Sequence, residues 1–238
     1  MGKNTEVNPA NKIGGENLFR DLSAESESIG QTLPAKIHEL LEEAIIRGEL
    51  EPSSRLQPEG LAAQYGVSRV PVREALRSLH EAGWVEIRPH YGVYVRERSM
   101  LELRELFEAR AGIEAHIAEL AATNRTDEDL AAMRQIVEAG RASVKAGNLG
   151  ATSYASVAFN DAIRKACGNS LLANLAAALE KRARFYFAMV EGDLGSDWID
   201  LEARILQAIF EQDVQQAGEV SRSHIQSTGH AVSKLLDT

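Results

Sequence analysis

Apolar side chains recur at intervals of three and four residues along most of the chain, which predicts a mainly helical protein. A first helix is predicted to begin after Thr32, a suitable N-cap residue, and to end near Gly48. Beyond residue 96 the chain has no proline, and the pattern predicts six more helices, over residues 101–122, 127–146, 151–166, 171–189, 197–211 and 214–236. Thr126 and Ser170 are predicted to open two of these helices, and Gly147 and Gly168 to close two. Six helices of this length are typical of a bundle.

One short stretch, Gly66 to Leu79, combines a turn with a strongly amphipathic helix. From about Arg69 the apolar residues Val72, Ala75, Leu76 and Leu79 share one face. Three arginines, Arg69, Arg73 and Arg77, fall four residues apart on the opposite face, where Glu74 could neutralise Arg73 or Arg77. Because a short helix is also predicted to end at Tyr65, with Gly66 making the turn, the stretch is typical of a helix-turn-helix.

The next residues alternate between apolar and polar side chains. Residues 83–88 and 93–96 are predicted to be two strands, joined by Pro89, His90, Tyr91 and Gly92 as a β-hairpin. A helix-turn-helix followed by a hairpin is a winged helix.

The charge of the chain is distributed unevenly. The net charge is −9, but residues 66–96 carry five arginines against three glutamates, so this segment is about +2 and the remainder −11. A local basic excess within an acidic chain is the charge distribution expected of a nucleic-acid binder, and a dimer would strengthen the modest attraction.

Other features narrow the class of protein. The single cysteine, Cys167, excludes an internal disulfide and fits a reducing cytoplasm, and a packed thiol is favoured over a reactive one. We find no apolar run of membrane-spanning length and no signal-peptide core, so a cytoplasmic protein is expected. The sequence contains no P-loop, dinucleotide glycine motif, H-E-x-x-H motif or nucleophile elbow, so we do not expect an enzyme.

Residues 1–31 are polar and predicted to form a disordered arm, in which Leu18, Phe19 and Leu22 could make one helical turn.

These motifs resemble those of a known family. The string L-A-A-Q-Y-G-V-S-R-V-P-V-R-E-A-L-R-S-L, with E-A-G-W-V and R-P-H-Y-G-V-Y-V after it, resembles the N-terminal domain of GntR-family bacterial transcription regulators. The helical remainder resembles the FadR-type (FCD) effector domain of that family. The resemblance implies a winged helix-turn-helix over residues 32–96 and an FCD-type effector-binding and dimerisation domain over residues 97–238.

The predicted recognition helix would reach base edges from its N-terminal end. Ser68, Arg69, Val70, Pro71 and Arg73 are therefore the expected major-groove residues, with Arg77 on phosphate. The resemblance implies that the wing tip, His90, Tyr91 and Gly92, lies in the minor groove. Glu59 occupies a position that is often basic in relatives, and Pro58 replaces a common glutamate, so the resemblance does not carry a phosphate contact onto Glu59. A solvated helix end is expected for His80.

Many FCD domains hold a metal ion through one Asp and three His side chains. The matching positions here carry Ser156, Asn160, Ala203 and His224, and one imidazole cannot hold a metal, so no metal and no other cofactor are expected. The smaller neutral side chains could instead leave a pocket for a small organic effector, with a carboxylate as one candidate.

Arg110 and Glu114 match a family element that faces the pocket, although an intrahelical pair between them is an equally good interpretation. His224 is interpreted as a pocket-lining or core histidine, Arg164 as a surface residue, and Phe185, Tyr186, Phe187 and Trp198 as core or interface residues.

Together these features predict a ligand-responsive bacterial transcription regulator. It would act as a repressor and bind a short inverted-repeat operator in double-stranded DNA as a homodimer. The alternative is a helical enzyme or ligand-binding protein that uses its winged helix as a docking module.

Overall fold

A computed structural model describes residues 31–188, 190 and 198–236 and confirms the mainly helical fold class. The chain divides at Arg98 and Ser99 into two compact units, each with its own core. Nearly all of the predicted N-terminal arm, with the helical turn predicted at residues 18–22, lies outside the described residues.

The first unit is a three-helix head with a small antiparallel sheet of strand order β1-β3-β2. Its elements are α1 (Leu33–Ile46), β1 (Arg55–Leu56), α2 (Pro58–Tyr65), α3 (Arg69–Glu81), β2 (Val85–Arg88) and β3 (Gly92–Val95). The predicted α3 and hairpin are therefore confirmed, whereas β1 was not predicted. A two-residue strand is too short to produce an alternating pattern, and only its pairing with β3, Leu56 opposite Val93, identifies it.

The turn between α2 and α3 depends on glycine. Gly66 caps α2 in the left-handed region, with φ +64°, where L side chains are strained. The chain then enters α3, whose side chains Val72, Ala75, Leu76 and Leu79 are fully or almost fully buried in the head. As a result α3 turns its other face to solvent. Ser68 occupies the N-cap as predicted, without a side-chain capping hydrogen bond.

The second unit is a six-helix bundle organised around its first helix. The helices are α4 (Met100–Asn124), α5 (Asp127–Ala146), α6 (Leu149–Ala166), α7 (Ser170–Phe187), α8 (Trp198–Glu211) and α9 (Val214–Leu236). Helix α4 packs against α6, α7, α8 and α9 and is therefore the centre of the unit. No helix in the described part of the chain is long and apolar enough to cross a membrane.

The helix ends in the bundle follow capping chemistry, with one correction. Thr126 caps α5 in a capping box with Asp129, and Gly147 ends that helix with φ +67°, both as predicted. The prediction that Ser170 opens α7 is wrong by one residue. Asn169 is the N-cap, because its side chain accepts a hydrogen bond from the Leu172 backbone N–H at 3.1 Å.

Close packing between α4 and α9 makes Gly229 sensitive to substitution. A Cβ atom at this position would lie 2.7 Å from Cγ of Phe107, a side chain that is itself buried. Gly229→Ala is therefore expected to lower the free energy of unfolding by about 1–3 kcal/mol, the usual cost of overpacking. The measurement is chemical denaturation. Gly112→Ala, in α4 with nothing within 4 Å of the new Cβ, is the matched control and should be neutral or stabilising. Equal stability changes in the two variants would contradict tight packing at Gly229.

Candidate nucleic-acid interface and buried polar cluster

Three arginines form an exposed ridge along α3, which we call the arginine ridge: Arg69, Arg73 and Arg77. Their side chains are 66%, 68% and 79% exposed, because the buried stripe of α3 occupies the other side of the helix. Val70, between the first two arginines, is 64% exposed although it is apolar. The N-terminal end of α3 therefore presents two guanidinium groups and an apolar contact to solvent.

Two of the ridge arginines pair with a carboxylate from the preceding helix. Glu59 Oε1 lies 3.5 Å from Arg69 Nη1 and 3.8 Å from Arg73 Nη2. Arg77 pairs with Glu81 at 3.3 Å, one helical turn further along. Among the described residues, the ridge arginines thus pair with Glu59 and Glu81 rather than with Glu74, the partner considered from the sequence. Exposed pairs of this kind are weak, so the guanidinium groups can exchange them for phosphate or base edges.

The predicted wing tip is a tight, exposed loop. Arg88 and Gly92 are paired across the hairpin, leaving Pro89, His90 and Tyr91 as the loop residues. His90 has φ +66° and Gly92 has φ +113°, and Tyr91 is 69% exposed. The Tyr94 hydroxyl donates to the Tyr91 carbonyl at 3.3 Å, and the Arg88 guanidinium lies over the Tyr94 ring at 4.5 Å. These contacts from the two strands of the hairpin stabilise the conformation of the loop.

A hydrogen bond ties the wing to the rest of the head. The Trp84 indole N–H, immediately before β2, donates to Glu42 Oε1 on α1 at 2.8 Å. Trp84 itself is buried. His80, interpreted as a solvated helix end, is exposed, and its Nδ1 lies 3.0 Å from the Val85 carbonyl oxygen. The wing is therefore anchored to α1 and α3.

The second feature lies inside the helical bundle, where five helices contribute polar side chains to one group. We call it the buried polar cluster; its members are Arg110, Glu114, Ser156, Asn160, Arg164, Glu180, Glu202 and His224. Six of them are buried, and Ser156 and Asn160 are half-buried. Buried charges are tolerated only when paired or hydrogen-bonded, so the pairing within the cluster decides its chemistry.

Hydrogen bonds and ion pairs connect most of the cluster. Asn160 Nδ2 and Arg164 Nη2 donate to the two oxygens of Glu180, at 2.7 and 2.6 Å. Glu114 Oε1 is held more loosely, at 3.5 Å from Arg110 Nη2 and 3.8 Å from Arg164 Nη1. Arg110 thus forms the intrahelical pair with Glu114 that was one of its two interpretations, and it also lies within the cluster.

Glu202 stands apart because no cation pairs with it in the described part of the chain. It is 1% exposed and accepts one hydrogen bond, from Ser156 Oγ at 2.8 Å. The pKa of Glu202 is raised to about 8, chiefly by burial, with the hydrogen bond from Ser156 opposing the shift and the charge of nearby Glu180 adding to it. At neutral pH its carboxyl group therefore carries a proton.

Burial also changes the other titratable members. It lowers the pKa of His224 to about 4, with Arg110 acting in the same direction, so the imidazole is neutral at pH 7. Burial raises the pKa of Glu114, against the opposing effect of Arg110 and Arg164.

Four buried polar atoms of the cluster have no hydrogen-bond partner among the described residues. They are Arg110 Nε, Arg164 Nη1, Glu202 Oε2 and His224 Nδ1. An unmade hydrogen bond in a buried position is costly, so ordered water or a ligand is expected to complete the set.

The interpretation of Arg164 as a surface residue is wrong, since its side chain is 4% exposed. The physical reason is the fixed spacing of a helix: positions 156, 160 and 164 follow at intervals of four on α6 and share one face. The same spacing that placed Ser156 and Asn160 in the site could therefore have predicted Arg164.

Ala203 is the predicted effector residue that the structure places elsewhere. It packs at the edge of the hydrophobic core and lines a surface depression with Arg134 and Phe210. Glu202, one residue earlier, enters the cluster instead. It lies in the buried stripe of α8 with Ile199, Ile205 and Ile209, and an acid within an apolar stripe was the signal in the sequence.

Glu180 was also missed by the sequence analysis. It lies on the buried face of α7 between Ala176 and Ala183, again as an acid among apolar neighbours. Within the described residues, no group of three or more His, Cys, Asp or Glu side chains is arranged to hold a metal ion.

The aromatic residues near the end of α7 belong to the core, as interpreted. Tyr186 is almost completely buried, and its hydroxyl donates to the Ser99 carbonyl at 3.2 Å. Phe187 contacts Phe107 edge to face, with ring centroids 6.0 Å apart. Cys167 is a buried free thiol, consistent with packing.

Comparison with known families assigns each unit separately. Residues 105–227 match the family model described as the FCD domain, which alone covers more than half of the chain. Residues 19–95 match the model described as bacterial regulatory proteins, gntR family.

Individual relatives carry related names. The chain is 32% identical to the Uxu operon transcriptional regulator of Escherichia coli over 57% of this chain and 59% of that protein. It is 29% identical to the E. coli HTH-type transcriptional repressor GlaR, over 78% of this chain and 89% of that protein. It is 27% identical to a probable D-xylose utilization operon transcriptional repressor of Paenarthrobacter nicotinovorans, over 82% of this chain and 86% of that protein.

Solved structures share the fold. The structure of E. coli McbR/YncC matches with a TM-score of 0.74 at 22% identity, over 86% of this chain and 99% of that chain. A putative GntR transcriptional regulator from Rhodococcus sp. RHA1 matches with a TM-score of 0.68 at 20% identity, over 84% of this chain and 96% of that chain.

Proposed function

Because the chain belongs to the gntR family of bacterial regulatory proteins and carries an FCD domain, we propose that this transcriptional regulator is a ligand-controlled repressor. It binds a short inverted repeat in double-stranded DNA as a homodimer, and a small organic effector in the helical bundle controls that binding. The observation that carries this proposal is the arginine ridge, exposed on the second helix of a helix-turn-helix. The named relatives are transcriptional regulators, consistent with a protein that is not an enzyme, and two of them are named repressors.

We assign the N-terminal end of α3 to the major groove. A recognition helix meets base edges with its first residues, so Ser68, Arg69, Val70, Pro71 and Arg73 are the proposed contacts. Arginine matches the O6 and N7 acceptors of guanine with two donors, and exposed Val70 can contact a thymine methyl group. Arg77, two turns along the helix, is assigned to phosphate.

We assign the wing tip to the minor groove. His90, Tyr91 and Gly92 form a narrow loop whose left-handed backbone at His90 and Gly92 keeps it tight. The lack of a side chain at Gly92 permits close approach of the backbone.

The small size of the basic surface supports the proposal of a homodimer. One head offers a ridge of three arginines and a segment with a net charge of about +2, which is too little for high affinity at physiological salt. Two copies related by a two-fold axis double the contacts and match an inverted repeat.

The effector site is assigned to the buried polar cluster, which includes the predicted residues Arg110, Glu114, Ser156, Asn160 and His224. The support is the set of unpartnered buried atoms on four helices. A ligand that pairs with them in one conformation of the bundle favours that conformation and so couples to DNA binding.

Two experiments test the proposal. Purified protein is expected to shift a palindromic DNA fragment from the promoter region of its own gene. Mass spectrometry of small molecules released from the purified protein should identify a ligand that raises thermal stability and alters the shift. Failure to bind any promoter fragment, with the protein folded, would favour a docking module instead.

Glu59 provides a further prediction. Because it pairs with Arg69 and Arg73, Glu59→Gln is expected to raise DNA affinity by roughly 1.5- to 5-fold per head, the equivalent of an exposed ion pair of about 0.2–1 kcal/mol. The DNA affinity of each protein is measured by fluorescence anisotropy at several salt concentrations. Glu128→Gln removes the same charge from an exposed position on α5 and should leave affinity unchanged. Weaker binding of the Glu59 variant would mean that this carboxylate itself contacts DNA, for instance a cytosine amino group.

A further inference from the structure

The small sheet of the head has an outer face, which points away from the core and carries basic side chains of its own. Residues that are paired across two strands lie on the same side of a sheet, and alternate residues of one strand share a side. The buried pair of Val85 and Val95 marks the core side. The outer face therefore carries the other set of paired positions: Arg55, Glu86, Arg88, Gly92 and Tyr94.

Arg88 is engaged by its neighbours on this outer face. Its guanidinium lies over the Tyr94 ring at 4.5 Å, and its Nη2 lies 3.3 Å from Glu86 Oε2 and 3.8 Å from Glu97 Oε1. Two carboxylates and an aromatic ring thus surround this cation, which reduces its attraction for an external anion.

Arg55 is exposed, and its guanidinium has no hydrogen bond or ion pair within the described part of the chain. Its backbone lies opposite Tyr94, but its guanidinium reaches Gly92, two residues nearer the wing tip. A Cβ atom at Gly92 would lie 3.1 Å from Arg55 Nε and 3.4 Å from its Nη2. The side chain therefore extends along the outer face toward the tip, in the space that the absent side chain of Gly92 leaves open.

Strand β1 brings this additional cation to the wing. Arg55 lies outside residues 66–96, whose net charge of about +2 was counted from the sequence, so the head offers one more positive charge near the wing than that segment contains. The ridge arginines and Arg88 each face a carboxylate. Arg55, in contrast, can meet an acceptor on DNA without giving up a partner.

A guanidinium beside the wing tip matches the chemistry of a minor groove rich in A·T pairs. It carries only hydrogen-bond donors, and the minor-groove edges of A·T pairs carry only the acceptors adenine N3 and thymine O2. At a G·C pair the guanine N2 amino group adds a donor, which opposes a second donor there. A narrow A·T groove also concentrates negative potential, which attracts an inserted arginine.

We propose that Arg55 enters the minor groove beside the wing tip and makes the protein prefer A·T pairs at that position. The guanidinium donates to adenine N3 or thymine O2, while the arginine ridge occupies the major groove. This inference rests on the proposed DNA binding and adds to it a residue that determines specificity and the bases that this residue reads.

The test compares two duplexes that have the same major groove. Alternating inosine–cytosine and guanine–cytosine duplexes differ by the guanine N2 amino group, which lies in the minor groove. Fluorescence anisotropy of the full chain at low salt is expected to show at least about fivefold tighter binding to the inosine duplex, the scale of discrimination by one base contact. Because neither duplex contains an operator, the comparison does not depend on the operator sequence. Equal binding of the wild-type protein to both duplexes would overturn the inference.

Three variants identify the residue responsible for the preference. Arg55→Ala is expected to bind the two duplexes equally, because it lacks the donor that the N2 amino group opposes. Replacing both Arg69 and Arg73 by alanine should weaken binding to both duplexes by the same factor and so preserve the ratio of the two affinities. Arg141→Ala removes the same charge from an exposed position in the helical unit and should preserve both affinities. A wild-type ratio in Arg55→Ala would assign the preference to another residue and contradict the proposal.

Arg55→Lys separates a base contact from a phosphate contact. Lysine keeps the charge, but its compact, strongly hydrated ammonium lacks the planar set of donors, so it should restore less than about half of the preference for the inosine duplex. A loss in Arg55→Ala that is equal for both duplexes, and that Arg55→Lys restores completely, would place the side chain on a phosphate and overturn the minor-groove contact.

Thermal stability distinguishes a DNA contact from support of the hairpin. Because the Arg55 side chain is exposed and unpaired among the described residues, Arg55→Ala should keep the Tm and the circular dichroism spectrum of the wild type. A lower Tm together with equal losses on both duplexes would show that Arg55 only supports the wing, which contradicts the proposal.

Failure of this inference and failure of the proposed DNA binding give different results. A folded wild-type protein that binds neither duplex and no promoter fragment would contradict both. If the protein binds DNA and loses that binding when Arg69 and Arg73 are replaced, but does not distinguish the two duplexes, only the assignment of Arg55 is overturned.

Discussion

Replacing both Arg69 and Arg73 by alanine is expected to reduce operator affinity by at least about 30-fold, since each arginine that reads guanine contributes about 1–3 kcal/mol. Both side chains are about two-thirds exposed and contribute nothing to the core of the head, so the variant should fold normally. The slope of log affinity against log salt should also become shallower. Fluorescence anisotropy at several salt concentrations measures both quantities, and circular dichroism confirms folding.

The matched control removes the same charge from the other unit. Arg104 and Arg141 are exposed on α4 and α5, and replacing both by alanine should leave operator affinity unchanged. If the Arg69 and Arg73 variant kept wild-type affinity and salt dependence while folded, the arginine ridge would not be the DNA-contacting surface, and the repressor proposal would lose its main support. Equal losses in both variants would indicate a general effect of net charge.

Replacing Arg164 by alanine is expected to destabilise the helical unit by about 3–5 kcal/mol, because it leaves the buried carboxylate of Glu180 without its cation. Glu180 would lose its hydrogen bond at 2.6 Å and Glu114 its second guanidinium. In a chain of this size that corresponds to a fall in Tm of roughly 6–20 °C. Differential scanning calorimetry measures it.

A second variant distinguishes loss of a charge partner from loss of packing. Arg164→Met with Glu180→Met removes both charges and keeps the volume, so the double variant should be less destabilised than the sum of the two single variants. Additive losses would show that the two side chains act independently. A fall of less than about 2 °C for Arg164→Ala would be the behaviour of a solvated arginine and would contradict its place in the cluster.

Much of the fold could be predicted from the sequence because the signals are local. The period of apolar residues located every described helix, and α5 and α9 begin and end at the predicted residues. Capping chemistry placed Thr32 and Thr126 correctly, but the choice between Asn169 and Ser170 depended on which side chain reached the Leu172 N–H. Strand β1 was missed because its pairing with β3 joins residues that are distant in the sequence.

Within the candidate DNA-binding surface, too, local features could be predicted from the sequence and contacts between helices could not. The arginine ridge was predicted because a helix places every fourth residue on one face, and no other part of the chain is needed to expose it. Its partner Glu59 belongs to another helix, and only the crossing of α2 and α3 brings that carboxylate near Arg69 and Arg73.

The sequence by itself determined the winged helix-turn-helix, the helical bundle and the exposed arginine ridge that we propose to contact DNA, since periodicity, turn chemistry and side-chain spacing act over a few residues. Only the tertiary structure decided the polar interior of the bundle. Arg164, Glu180 and Glu202 lie on three different helices, and their burial, the pairing of Arg164 with Glu180 and the raised pKa of Glu202 arise from one low-dielectric environment that exists only once those helices pack together.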